Sequence, residues 1–291
     1  MYMDMRNKSL KTARKRKDDE WYTKLSTVET ELQHYDLRGK IIYMPCDDAH
    51  SAFWVYLHTH FSELELRAIV ATHYNMNNDP GIYYTGGNDA DTSVFEVFPL
   101  RTNGYMCADN DELWSIAEQC DIIITNPPFS KIRELYPLWL ERHIDMIVMG
   151  TVNVLSYVCL RKYFIANTLH VGYTVGKTEK FDRPDGTEKE VSGITWYTTL
   201  PVHKTYEDIL TKKYNPENYE RFKNMDAINV DKSKDIPYDY PGLMAVPMSF
   251  MKWLDPERFE LIDIVNSKGN TELTSGRNTY ARLIIRNRML Q

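Results

Sequence analysis

Short apolar runs and longer amphipathic ones alternate along the first half of the chain, and this alternation is its main structural signal. Leu25, Val28, Leu32 and Tyr35 recur at helical spacing, which predicts a helix over Trp21 to Tyr35 that Gly39 stops. Ile41-Ile42-Tyr43-Met44 predicts a strand, Ala52 to Phe61 a helix, and Arg67 to Ala71 a second strand. Residues 74–88 are rich in Asn, Asp and Gly and read as a loop. Tyr105-Met106-Cys107 predicts a third strand ending at Asp109, after which Asn110 or Asp111 caps a helix that reaches Gln119. Asp121 to Thr125, a continuous β-branched run, is the clearest buried strand. Lys131 to Arg142 predicts a helix, and Asp145 to Gly150 the next strand.

Strand and helix alternating at this spacing imply right-handed crossovers and a parallel sheet with helices on both faces. Ligands of such sheets bind outside the carboxyl ends of the strands. The expected strand ends carry Cys46-Asp47-Asp48, Thr72-His73-Tyr74, Asp109, and Asn126-Pro127-Pro128-Phe129, so polar and special residues converge on one edge. Beyond Gly150 the pattern loosens. His170 to Val175 and Ile194 to Thr199 read as strands around a charged, Gly-containing loop from Gly176 to Ser192. From Leu200 onward the chain is rich in Tyr, Asn, Pro and Lys, with isolated apolar runs.

Length and composition narrow the class. With 291 residues, 43% of them hydrophobic, the chain can bury the core of one large domain or of a catalytic domain with a smaller one appended. The expected division is a basic, flexible arm over 1–17, a catalytic domain over 18–200, and a C-terminal recognition or packing region over 201–291. No apolar run approaches the length of a membrane span, and residues 1–19 lack the apolar core of a signal peptide, which points to a cytoplasmic protein with no membrane partner. Cys46, Cys107, Cys120 and Cys159 show no paired spacing, and His50, His58, His60 and His73 no ligand spacing. Neither a disulfide framework nor a metal site is expected. The formal net charge of −6 does not advertise a nucleic-acid binder. Charge is uneven, however: Lys8, Lys11, Arg14, Lys15, Arg16 and Lys17 form a basic arm, and Arg282, Arg286 and Arg288 lie near the other end. Such an arm can neutralise phosphates or remain a solvated tail.

Asn126-Pro127-Pro128-Phe129 carries the chemistry. An exocyclic amine delocalises its lone pair into the ring and is a poor nucleophile, so a site that alkylates it must hold it in line and stabilise its developing charge. Acceptors aimed at the two N–H groups do this. Asn126 supplies a carboxamide oxygen and Pro127 a backbone carbonyl between two rigid rings that bring no competing N–H donors. Phe129 can stack on a base flipped from the helix. A plain strand followed by an Asn-Pro turn is the structural alternative, and the buried strand immediately before the motif favours the chemical one.

Asp121-Ile-Ile-Ile-Thr-Asn-Pro-Pro-Phe-Ser130 resembles the catalytic motif of amino-group DNA methyltransferases. Further stretches resemble the EcoRI modification methylase family of adenine-specific enzymes: Asp19-Glu-Trp-Tyr-Thr23, Cys46-Asp-Asp48 with Ser51 and Phe53, Asp226-Ala-Ile-Asn-Val230, and Asp235-Ile-Pro237 running to Gly242 and Val246-Pro247. The resemblance spans about residues 19–260. It implies an α/β fold, a Rossmann-like methyltransferase sheet with a C-terminal target-recognition extension. It also implies S-adenosylmethionine as donor and adenine flipped from duplex DNA as acceptor. Tyr22 and Thr23 would line one wall of the cofactor pocket, Cys46, Asp47 and Asp48 would lie near its methionine part, and Asp109 would accept from its adenine amine. Asp47, Asp48 and Asp109 could instead cap the helices that follow them. The loop Asp48-Ala49-His50-Ser51-Ala52 departs from the Gly-rich turn of many methyltransferases, and Thr72-His73-Tyr74 lacks the acid that often holds the ribose. Asp79 is the nearest carboxylate, and the ribose contact is unassigned.

Duplex DNA is the expected macromolecular partner, a cognate restriction endonuclease a candidate one, and the protein itself is expected to be a monomer. Lys177, Lys180, Arg183 and Lys189 in the charged loop are the candidate DNA contacts, followed by Lys212, Lys213, Arg221, Lys223, Asn224 and Asn229. Trp196 could pack beside the flipped base or serve as a core aromatic. Two other readings remain open: an amino-group methyltransferase acting on RNA adenine or on protein glutamine, and a DNA-binding relative whose catalytic core has decayed.

Overall fold

The computed structural model describes residues 22–75, 81–86, 95–182, 186–203, 210–266 and 271–290. The basic arm of residues 8–17, Asp79 and Arg183 lie outside them. In chain order the elements are β1 (Tyr22–Thr23), α1 (Leu25–Leu32), β2 (Ile41–Met44), α2 (Ala52–Thr59), β3 (Ala68–His73), β4 (Ile82–Gly86) and β5 (Glu96–Pro99). Next come α3 (Asp111–Ala117), β6 (Ile122–Thr125), α4 (Ile132–Glu141), β7 (Asp145–Thr151), α5 (Val158–Ile165), β8 (His170–Val171), β9 (Lys177–Asp182) and β10 (Glu188–Thr198). Four further strands follow: β11 (Ala227–Asn229), β12 (Leu243–Pro247), β13 (Phe259–Val265) and β14 (Arg282–Asn287). Among the described residues no helix is long and apolar enough to cross a membrane.

The chain divides into two compact units, one from the described part of Met1–Thr151 with Gly176–Thr198, the other from Val152–Val175 with Thr199–Gln291. In the first unit the strands lie in the order β1-β9-β10-β7-β6-β2-β3-β4-β5. The middle four, β3-β2-β6-β7, are parallel: Ile42 faces Ile69 on one side and Ile122 on the other, and Ile123 faces Met146. Ile122, Ile123 and Ile124 are wholly buried, as are Met146 to Met149. At about 1.5–3 kcal/mol for each such side chain removed from water, this explains why a run apolar at every position settles in the sheet centre. The mixed α/β architecture agrees with the α/β fold class expected from the sequence.

Antiparallel strands flank the parallel core, so the expectation of a purely parallel sheet is corrected. Residues 74–88 are not all loop, because Ile82–Gly86 pairs with β3 and brings β5 with it. Its Gly- and Asn-rich flanks masked a short aromatic and β-branched run. Tyr105 to Cys107 consequently forms no strand, since β4 already occupies the edge of β3. The residues just before it instead close over the start of β4, with Gly81 N–H donating to the Thr102 carbonyl (2.7 Å) and Asn75 N–H to that of Asn103 (2.9 Å). A side chain at Gly104, where φ is +77°, would stand 2.5 Å from the His73 carbonyl oxygen, so glycine alone fits there. The charged segment 176–192 is likewise a β-hairpin rather than a loop: β9 and β10 pair antiparallel, and β10 joins β7.

The second unit is built on the sheet β11-β12-β14-β13, in which only β11 and β12 are parallel. Phe222, Ala227, Ala245, Leu273 and Ile284 form a buried cluster within it.

Candidate active site

The chain runs from β2 outward to β3 and returns to β6 on the other side of β2, so the strand order reverses between β2 and β6. In open α/β sheets that reversal opens a crevice at the carboxyl ends of the two strands. Both ends carry polar groups here. After β2, the Asp47 carboxylate is buried and accepts a hydrogen bond from the Thr125 hydroxyl at the last position of β6, at 2.5 Å. Burial pushes the Asp47 carboxyl up from its ordinary 3.8 to about 7, against the opposing hydrogen bonds of Thr125 and Ser51. Burial and the neighbouring Asp47 charge also push the Cys46 thiol up. Ser51, not Asp47 or Asp48, caps α2, accepting from Trp54 N–H at 3.1 Å. Asp48 accepts instead from His50 N–H (2.8 Å) within its own turn.

The next residue after Thr125 is Asn126. Its Nδ2 donates to the Thr23 hydroxyl at 3.0 Å, while its Oδ1 is buried and has no hydrogen-bond partner among the described residues. A buried carbonyl without a donor costs about 1–3 kcal/mol, so this oxygen is an acceptor awaiting one. Pro127 is buried and Pro128 exposed. The Pro128 carbonyl accepts from Lys131 N–H at 2.8 Å, which tightens the chain into a 3-10 turn (Phe129–Lys131) leading into α4. Phe129, half-buried, opens that turn.

Thr23 reaches this place because β1 pairs with β9, Tyr22 opposite Asp182 and Thr23 opposite Phe181. Tyr22 is 51% exposed. Asp109 lies in an exposed turn before α3 and does not cap it, since Asn110 accepts from Leu113 N–H (3.3 Å). Trp196 is wholly buried on β10 with its ring 5.7 Å from that of Phe53, which makes it a core aromatic. Among the described residues no group of three or more His, Cys, Asp or Glu side chains could hold a metal ion.

The candidate DNA contacts are dispersed. Lys177 and Lys180 are exposed on β9 and Lys189 half-buried on β10. Lys180 already faces Glu188 (3.4 Å) and Glu190 (3.9 Å). In the second unit Arg221 pairs with Asp226 and Lys223 with Glu272, while Lys212, Lys213 and Asn224 are exposed. Asn229 is buried, donating to Asp231 (2.9 Å) and accepting from Arg282 (3.2 Å). Its amide therefore supports the ion pair of Arg282 with the half-exposed Asp231.

Two links had no local signal in the sequence, Thr125 to Asp47 and Thr23 to Asn126. The one available hint was a hydroxyl closing an otherwise apolar strand.

No solved structure matches the chain. Three bacterial proteins are similar to it along nearly their whole length. Type II methyltransferase M.EcoRI of Escherichia coli is 32% identical, covering 98% of this chain and 98% of its own. Type II methyltransferase M.MpnI of Mycoplasma pneumoniae is 31% identical, covering 93% and 90%. Type II methyltransferase M.MgeORF184P of Mycoplasma genitalium is 28% identical, covering 96% and 98%. The family model described as adenine-specific methyltransferase EcoRI matches residues 9–288. Joined to a central strand that ends in Asn-Pro-Pro-Phe at the crevice of an α/β sheet, these likenesses place the chain in the EcoRI family of adenine-specific methyltransferases.

Proposed function

We propose that this methyltransferase transfers a methyl group from S-adenosylmethionine to the N6 amino group of an adenine flipped out of duplex DNA, at a defined sequence. The observation that carries this reading is the buried, partnerless Asn126 Oδ1 at the end of the central strand, an acceptor set where an amine must be held. The Type II methyltransferase relatives and the adenine-specific family name support the substrate.

S-adenosylmethionine, when bound, supplies an electrophilic methyl group. The crevice between β2 and β6 fits such a cofactor in chemistry, offering buried and half-buried polar side chains beside an orphaned acceptor. Tyr22 and Thr23 would line one wall of its pocket, Cys46, Asp47 and Asp48 would lie near its methionine part, and Asp109 would accept from its adenine amine. Asn126 Oδ1 and the Pro127 carbonyl accept from the two N–H groups of the target amine and draw electron density onto its nitrogen. Phe129 stacks on the flipped ring, and Pro128 stiffens the turn that presents it. As the new N–C bond forms, the surplus proton on nitrogen leaves to water, so no buried base is needed. Lys177, Lys180 and Lys189 of the hairpin, together with Arg183, would meet phosphates, with base reading left to the C-terminal region. The protein would act as a monomer beside a cognate endonuclease in the cytoplasm.

The test is transfer of labelled methyl to unmethylated duplex DNA by wild type and by Asn126→Ala. Label in N6-methyladenine is expected from wild type, with a loss of about 10²–10³-fold in the variant. Label in RNA or protein amide with none in DNA would overturn the substrate assignment, and an undiminished Asn126→Ala would overturn the site.

A further inference from the structure

The Asn126 carboxamide has two ends of nearly equal shape and opposite function. A half-turn about its last torsion exchanges the oxygen for the NH2 group. Only one orientation suits a substrate amine, which is itself a donor. With Nδ2 turned into the site, donor would face donor. The fold must therefore hold the carboxamide in place, and that task falls on what its inner end meets.

The inner end meets Thr23. Its hydroxyl accepts from Asn126 Nδ2 at 3.0 Å, and the amide's other end, Oδ1, is buried with no hydrogen-bond partner among the described residues. Thr23 is remote in sequence and is carried by the short strand β1, but its position is anchored on several sides. It pairs with Phe181, whose side chain is wholly buried. Lys24, the next residue, is ion-paired to Asp182 (3.7 Å) and to Glu188, and Thr27 donates to Glu179 at 3.0 Å. All three acids stand on the β9–β10 hairpin. The hairpin thus acts as a bracket that holds the N-terminal segment against the catalytic turn.

We propose that Thr23 is a positioning residue of the methyl-transfer site, its hydroxyl tethering the Asn126 amide that accepts from the target amine, and that the β9–β10 hairpin serves this contact by holding β1. The role is distinct from lining the cofactor pocket, and it rests on the reading of Asn126 as the acceptor of the substrate amine. In Thr23→Val the side chain keeps its shape and loses the hydroxyl, so the Asn126 amide loses its tether. In Thr23→Ser the hydroxyl is kept.

The experiment measures kcat for methyl transfer to duplex DNA, KM for DNA and Kd for S-adenosylmethionine in wild type, Thr23→Val and Thr23→Ser. The expected result is a fall in kcat of about tenfold or more in Thr23→Val, the weight of one lost orienting hydrogen bond. Kd for the cofactor should stay within about twofold, and Thr23→Ser should recover most of the rate. Thr23→Ala, which adds no bulk, replaces the valine variant if that one fails to fold. A Thr23→Val enzyme with unchanged kcat would overturn the proposal. So would a rate loss that saturating cofactor restores, which would make Thr23 a cofactor contact alone. A serine variant as slow as the valine one would assign the effect to packing. Absence of adenine methylation by the wild type is a separate result that sinks the underlying reading, and the proposal with it.

Discussion

Asp47 should make the protein less stable as the pH rises toward neutrality. Its carboxyl titrates at 3.8 in an ordinary setting and at about 7 in the fold, because burial penalises the charged form. Between those two values the folded state keeps a proton that the unfolded chain has released. Stability therefore falls with pH across this window, the stabilising contribution being complete below 3.8 and lost as the pH passes through about 7. At about 1.4 kcal/mol per pH unit, the loss between pH 5 and pH 8 is about 2.5 kcal/mol. Asp47→Asn keeps the shape and an oxygen able to accept from Thr125 and Ser51, but it cannot ionise. Urea unfolding across pH 5 to 8 should show the wild-type midpoint dropping at alkaline pH, and the variant should lack about 2.5 kcal/mol of that drop. Thr125→Val is the matching control. Without its 2.5 Å donor the charged form of Asp47 is less favoured, so the carboxyl rises further and the window moves to higher pH. Parallel pH profiles for wild type and Asp47→Asn would refute the reasoning and place Asp47 in a wetter site than its 6% exposure implies.

Two further outcomes can be checked directly. Replacing Lys177, Lys180 and Arg183 together with alanine should weaken duplex binding and lower the slope of log affinity against log salt by about two to three, with cofactor affinity unchanged. Calorimetric titrations at several salt concentrations decide this, and an unchanged slope would remove the hairpin from the DNA interface. Gly104→Ala should cost at least about 2 kcal/mol of stability, since its Cβ would meet the His73 carbonyl at 2.5 Å in a backbone region that only glycine tolerates. A melting temperature within a degree of wild type would contradict that close approach.

The sequence by itself determined the central strands, the Asn-Pro-Pro-Phe tetrapeptide that follows one of them and the edge of the sheet at which they meet. Ile122 to Ile124 announce a fully buried strand because apolar residues at every position suit only a strand covered on both faces. Asn126 to Phe129 point to amine chemistry because they set two acceptors on a rigid turn before an aromatic ring. Ser51 and Asn110 prove to be the helix caps, which leaves the preceding acids for other work. The tertiary structure alone decided what depends on partners distant in sequence. The run Ile82 to Thr85, set among Gly and Asn, became a strand because β3 had a free edge to offer, and Tyr105 to Cys107 lost its place in the ladder for the same reason. Charge counting along 176–192 suggested a loop turned toward DNA. Once folded, Glu179 meets Thr27, and Asp182 and its cross-strand partner Glu188 meet Lys24, because β1 pairs with β9 and brings the residues that follow it alongside the hairpin. Likewise, no local pattern reveals that residue 23 meets residue 126 or that residue 47 meets residue 125. Hydrogen bonds across such separations follow from strand order, and strand order is settled only when the whole sheet closes on its core.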